Sequence, residues 1–130
     1  MLYILYISSK LKNNNPNKSA ILNTFLLLTG KHTLNKLDRF LKNILYIEGL
    51  KDYIKIYEEN SPKPILSLMS MKSIEELLPA SRFIRVHRSY IVQKDKIRII
   101  DRGRIVFGKN YIPVSDSYKQ IFQDFLNKRS

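Results

Sequence analysis

From Ile44 to Val114 the chain is a series of short β-branched and aromatic runs, each closed within a few residues by turn chemistry. Ile44 to Glu48 (ILYIE) and Tyr53 to Tyr57 (YIKIY) are two such runs, and their residue types suit a pleated, half-buried surface. In the second, period-2 alternation sends Ile54 and Ile56 to the core and leaves Tyr53, Lys55 and Tyr57 on the wetter face. Phe83 to Val86 is a third. Lys96 to Phe107 (KIRIIDRGRIVF) folds about Arg102-Gly103 into a hairpin, and a turn at Gly108-Lys109-Asn110 leads into Tyr111 to Val114. Upstream, Phe25 to Thr29, the Gly30-Lys31 turn and His32 to Leu37 predict a further hairpin. Strands repeating roughly every 8–12 residues, with turns between them, predict an antiparallel, mainly β architecture.

Two helices interrupt this pattern. Ser70 to Leu78 places Met71, Ile74, Leu77 and Leu78 on one face, and Pro79 stops it. Ser115 to Lys128 places Tyr118, Ile121, Phe122, Phe125 and Leu126 at helical spacing, with Ser115 or Ser117 as N-cap. Both apolar stripes read as packing faces.

At 130 residues the chain suffices for one core. Residues 1–37 hold no Asp or Glu, and Lys10 to Lys18 (KLKNNNPNK) cannot bury apolar surface. The expected division is a linker or disordered arm over 1–24 and a single domain over 25–130. Neither the first ten residues, MLYILYISSK, nor any later stretch is long enough to span a bilayer. The start also lacks a signal-peptide pattern. The expected location is the cytoplasm, with no membrane partner.

The absence of cysteine removes disulfides, thiolate zinc sites and cysteine nucleophiles together. His32 and His87 stand far apart, and neither opens an HExxH pattern. The four glycines are scattered and form no phosphate cradle. No nucleophile elbow is present. The expectation is a non-enzyme with no catalytic residue, no metal site, no cofactor and no small-molecule substrate.

Lys and Arg number 23 against 11 Asp and Glu, a formal charge of +12 that points to an anionic partner. Arg82 to Arg104 carries eight of these bases (Arg82, Arg85, Arg88, Lys94, Lys96, Arg98, Arg102 and Arg104) and only two acids, Asp95 and Asp101. The plain reading is the charged outer face of a sheet, with Ile84, Val86, Ile97 and Ile99 turned inward. Nucleic acid would dock on such a face. The tract RVHRSY, Arg85 to Tyr90, is the densest set of base-reading groups. His87 and Arg88 can donate to major-groove acceptors, and Ser89 and Tyr90 can bond phosphate oxygens. For His87 alone, a half-buried structural role is an equal reading.

Four pieces now stand in order: NILYIEGLKDYIKIY (Asn43 to Tyr57), SMKSIEELLP (Ser70 to Pro79), RFIRVHRSYIVQKDKI (Arg82 to Ile97) and YIPVSDSYKQIF (Tyr111 to Phe122). With this order and spacing, the chain from about Leu34 to Leu126 resembles the LytTR DNA-binding domain of bacterial response regulators. The resemblance implies an elongated, antiparallel, multi-sheet fold with short helices, whose loops rather than a recognition helix enter successive major grooves. It implies sequence-specific double-stranded DNA binding in transcription regulation within two-component systems, by two copies on repeated half-sites.

Carried over by motif, the contacting loops are Leu50 to Tyr53 (with Lys51, Asp52 and Tyr53), Arg85 to Ser89 (with Arg85, His87, Arg88 and Ser89) and Val114 to Lys119 (with Ser115, Asp116, Ser117 and Lys119). Lys51, Arg88 and Lys119 bring charge, while Ser115 and Ser117 bring hydroxyls beside a helix start. Asp116 reads as a first-turn acid that stabilises the helix dipole, or as an acceptor from a cytosine amino group. Residues 1–37, without a carboxylate, cannot supply the phosphoacceptor of a receiver domain, so an output module without a receiver is expected. The alternative function is a protein-interaction module of the same fold that pairs with a full-length regulator or an acidic partner.

Overall fold

A computed structural model describes residues 34–129. The expected division at 24/25 and the first strand of the upstream hairpin lie outside them. The second strand of that hairpin is corrected in part, because Leu34 opens a helix, α1 (Leu34–Asn43). LNKLDRFLKN carries a helical spacing of Leu34, Leu37, Phe40 and Leu41 that competes with any strand reading. Phe40 and Leu41 are buried.

Eight strands follow, with two more helices: β1 (Ile44–Gly49), β2 (Ile54–Glu58), β3 (Ile65–Ser67), α2 (Met71–Leu77), β4 (Phe83–His87), β5 (Tyr90–Gln93), a 3₁₀ turn (Lys94–Lys96), β6 (Ile99–Asp101), β7 (Arg104–Phe107), β8 (Asn110–Pro113) and α3 (Asp116–Arg129). They make a five-stranded sheet in the order β3-β2-β1-β5-β4 and a three-stranded sheet β6-β7-β8, with every pairing antiparallel. The chain is therefore mainly antiparallel β with short helices, as its residue pattern predicts. No helix among the described residues is long and apolar enough to cross a membrane.

The larger sheet is covered on both faces. Ile44, Ile47, Ile54, Ile56, Phe83 and Ile91 pack with Phe40 and Leu41 of α1 and Ile74 and Leu77 of α2. Tyr46, Ile84, Val86 and Val92 pack on the other side with Ile105, Ile112 and Phe122, from the small sheet and α3. Neighbours along one strand, such as Phe83 and Ile84 or Ile91 and Val92, thus feed opposite cores, as the pleat requires. A register irregularity between Ile44 and Tyr46 breaks the alternation in β1 and puts Leu45 and Tyr46 on the same side.

Two inward assignments are corrected. Ile99 is 57% exposed, because β6 begins only at Ile99 and the alternation does not extend back to Ile97, which follows the 3₁₀ turn. Ile100, not Ile99, pairs with buried Ile105 and shares its side. Ile121 is 56% exposed: Phe122 takes the centre of the α3 stripe and Ile121 lies at its margin.

Local signals explain the element ends. Ser70 caps α2, its hydroxyl oxygen accepting from the Ser73 amide at 3.1 Å. The Leu78 amide closes the last turn on the Ile74 carbonyl, and Pro79 follows. Arg102 and Gly103 both have positive φ, 52° and 77°, as a type I′ hairpin turn demands. One buried polar side chain locks the sheet to α1. Gln93 Nε2 donates to the carbonyls of Leu41 (3.1 Å), Lys42 (3.3 Å) and Ile44 (2.6 Å), and two of these belong to the open C-terminal end of α1. Its Oε1 accepts from Arg82 Nε at 3.3 Å.

Candidate nucleic-acid interface

Antiparallel pairing makes β1 and β4 end, and β2 and β5 begin, at one end of the larger sheet. The β1–β2 loop and the β4–β5 turn therefore lie side by side. The first is closed by the Leu50 amide donating to the Tyr53 carbonyl at 2.8 Å, with Lys51 and Asp52 exposed and Tyr53 half-buried. The second is a two-residue turn, Arg88-Ser89, between paired His87 and Tyr90. The Gly49 amide donates to the Ser89 carbonyl at 2.8 Å and ties the two loops together. The third loop joins through β4: the Ser115 amide donates to the Val86 carbonyl at 3.0 Å, which sets the start of α3 beside the β4–β5 turn. Asp116, Ser117 and Lys119 are exposed there and Ser115 is half-buried. All three motif loops thus share one end of the molecule.

Their side chains have different duties. Arg85 lies beneath the turn, its guanidinium occupied: Nη1 meets Glu75 Oε1 at 2.8 Å, Nε donates to the His87 carbonyl at 3.2 Å, and Nη2 donates to the Arg88 carbonyl at 2.5 Å. It braces the turn from inside. His87 Nδ1 accepts the Ser89 amide at 3.0 Å, so the neutral ring carries its hydrogen on Nε2 and offers it as a donor. Lys51, Arg88 and Lys119 are exposed and make no ion pair among the described residues.

The expected continuous basic face is more selective than its composition. Arg82 pairs with Asp95 at 3.5 Å and Lys96 with Glu59 at 2.7 Å. Lys94 donates to the Ala80 carbonyl at 3.0 Å, and Arg98 donates to the Asp95 carbonyl. With Arg85 also engaged, five of the eight bases in this stretch serve the fold, leaving Arg88, Arg102 and Arg104.

Below the loops lies a network that sequence reasoning missed. Glu48 accepts from Tyr57 Oη at 3.2 Å and from Tyr90 Oη at 2.9 Å. Tyr46 stacks on Tyr57 at 4.4 Å and on Phe107 at 5.2 Å, and His87 meets Tyr90 edge-on at 5.5 Å. Burial, then the bond to Glu48 and its charge, push the Tyr90 phenol up to about 12. Burial also raises Tyr46 and Tyr57, with the neighbouring phenols and Glu48 adding to Tyr46, and Glu48 adding to Tyr57. The readable signal was register, since Tyr46 and Glu48 are two apart on β1 and so share a face.

The family model described as the LytTr DNA-binding domain matches residues 39–127. The chain belongs to the LytTR DNA-binding domain family. A solved structure agrees: the LytTr DNA-binding domain of a protein described as a methyl-accepting/DNA response regulator, from Bacillus cereus, is similar at 27% identity with a TM-score of 0.57. The match covers 66% of this chain and 83% of that one. Among curated proteins no match is found. This LytTR domain is a DNA-binding domain by family, and its three motif loops converge at one end of its larger sheet.

Proposed function

We propose that this LytTR domain binds double-stranded DNA sequence-specifically as a transcriptional regulator, with no catalytic step, its three loops entering major grooves. One observation carries the reading. The amide bonds from Gly49 to Ser89 and from Ser115 to Val86 hold three loops in one row, and that row presents Lys51, Arg88 and Lys119 with no ion pair among the described residues. Lysine and arginine side chains positioned by a rigid sheet can neutralise phosphates, and an arginine fork can read the O6 and N7 edge of guanine. Arg88 stands at the turn tip, fixed by its own carbonyl on Arg85, and is the candidate base reader. Lys51 and Lys119 flank it as phosphate contacts. His87 Nε2–H and the hydroxyls of Ser89, Ser115 and Ser117 add donors, while Asp52, Tyr53 and Asp116 complete the row. Two copies on repeated half-sites would lengthen the site read.

Selection from a random duplex library, run at two salt concentrations, tests this reading. Enrichment of a repeated motif is the expected result. Arg88→Ala should cost about 1–3 kcal/mol of specific affinity and relax preference at one base pair. The fold should survive this change, because the carbonyl held by Arg85 belongs to the backbone. Equal binding of selected and random duplexes by parent and variant would refute the base-reading role.

A specific observation favours a second reading, protein pairing. Strand β3 is an edge of the larger sheet, Leu66 on it is 55% exposed, and Leu68 just beyond is 67% exposed. Co-purification with a regulator, with no duplex enriched, would favour that reading.

A further inference from the structure

We infer that the β6–β7 hairpin is a fourth DNA-contacting element, a clamp for backbone phosphates formed by Arg102, Arg104 and Lys119. This inference rests on the DNA-binding reading above and extends its surface beyond the three motif loops.

The topology places the hairpin there. Arg104 pairs with Pro113, so the Arg102-Gly103 turn lies at the end of β8 where the chain runs into the third loop and α3. Arg102, Arg104 and Lys119 line one concavity of about 270 Å³ together with Pro113, Val114 and Phe122. No Asp or Glu among the described residues lines it. Lys119 belongs both to this concavity and to the row of three loops, so the positive surface continues from one to the other.

The state of each arginine is the second line of argument. Arg102 is exposed, forms no ion pair among the described residues, and adopts φ 52°. At that position of a type I′ turn, asparagine, aspartate or glycine is favoured, and an arginine strains the backbone. A charged side chain at a strained, exposed tip, with no ion pair among the described residues, points to a contact outside the fold. Arg104 is exposed and lies over the Tyr111 ring at 4.3 Å. Stacking orients the guanidinium plane and leaves its edge N–H donors free for an anion. Most other bases between Arg82 and Arg104 are engaged by carboxylates or carbonyls; among the described residues these two are not. A polyanion running past the third loop meets this hairpin next. Such contacts neutralise phosphates without reading sequence.

The test is fluorescence anisotropy with the purified full chain against two labelled duplexes, one selected from the random library and one of random sequence, across a salt series. Each lost phosphate contact lowers the steepness of log K against log salt by about 0.9, which is roughly 3.5-fold between 50 and 200 mM. Arg102→Asn should therefore reduce the slope by about 0.9 and Arg102→Asn with Arg104→Gln by about 1.8. Both duplexes should weaken by the same factor, with base preference unchanged. Asparagine suits the left-handed turn position, so thermal melting of Arg102→Asn should occur at or above the parent temperature. If the parent binds steeply and both variants keep its slope, the clamp is wrong and the three-loop reading stands. If the weakening is confined to the selected duplex, the hairpin reads bases and the phosphate assignment is overturned. If the parent binds neither duplex, both readings fall together.

Discussion

Gly49 joins the fold to the candidate interface, and Gly49→Ala tests that junction. A Cβ built on Gly49 would lie 2.4 Å from Met71 Cγ and 2.9 Å from its Sδ. Real carbon contacts do not approach so closely, so either Met71 leaves its place against the core or the end of β1 moves away from α2. The constraint is one of space: Gly49 is not among the positive-φ residues. Forcing a methyl group into a packed contact typically costs about 1–3 kcal/mol. For a domain of this size each kcal/mol lowers the melting temperature by about 4–8 °C. The Gly49 amide also donates to Ser89, so the shift should loosen the β4–β5 turn and weaken DNA binding.

Met71→Ala removes the clashing atoms and leaves Met71 Cβ 3.8 Å from the new methyl, an ordinary contact. Alone it loses part of a half-buried side chain, about 1–2 kcal/mol. In a denaturant-unfolding double-mutant cycle, the pair should therefore be more stable than the sum of the single changes by at least about 1 kcal/mol. DNA affinity should recover in the double variant. Additive losses, or a Gly49→Ala protein as stable as the parent, would show that this contact does not set the position of the first loop.

Two further changes probe the parts that hold the interface in place. Gln93→Leu keeps the volume but strips the Leu41, Lys42 and Ile44 carbonyls of their shared donor, and each buried polar group left unpaired costs about 1–3 kcal/mol. Chemical denaturation should show a loss of at least about 2 kcal/mol; a smaller loss would mean that water replaces the amide. The phenol cluster predicts an alkaline limit. Tyr46, Tyr57 and Tyr90 hold their protons more tightly folded than unfolded, where each phenol titrates at 10.0. Their contribution is whole below pH 10 and is lost as pH rises toward about 12, the folded value of Tyr90. Melting temperature should fall across that window, and Tyr90→Phe should flatten the fall; an unchanged profile would remove Tyr90 from the cluster's linkage.

What was legible in the sequence, and what was not, follows physical lines. The β6–β7 hairpin could be read directly from its Arg102-Gly103 turn, because that turn chemistry allows little else, short as its strands are. Strand β3 has three residues and β5 four, too few for period 2 to stand out. The turn before β5, Arg88-Ser89, has no glycine, asparagine or aspartate to announce it. The inward expectation for Ile99 fails because period 2 holds only within a strand, and β6 begins at Ile99, so Ile97 and Arg98 lie outside it and set no phase for it. Among the candidate contacts, the motif located the loops, but charge alone could not separate Arg85 from Arg88. The two differ by three positions and in everything they touch, since the partners of Arg85 come from α2 and from the turn it supports.

That difference bears on how such a surface evolves its specificity. If Arg85, Gly49, Gln93 and the Glu48 cluster hold the loops, then changing a loop-tip side chain alters what is read without altering where it is presented. Arg88, Lys51 and Lys119 make no ion pair within the described fold, so their replacement leaves no internal partner unsatisfied. Replacing Arg85 leaves Glu75 and two turn carbonyls without their donor, a loss felt by every sequence the domain could read. Substitutions at the tips should therefore move base preference at nearly constant stability. Substitutions beneath them should lower stability and affinity together at nearly constant preference. The separation arises because a two-sided buried sheet fixes the loop stems, while the tips project beyond its end.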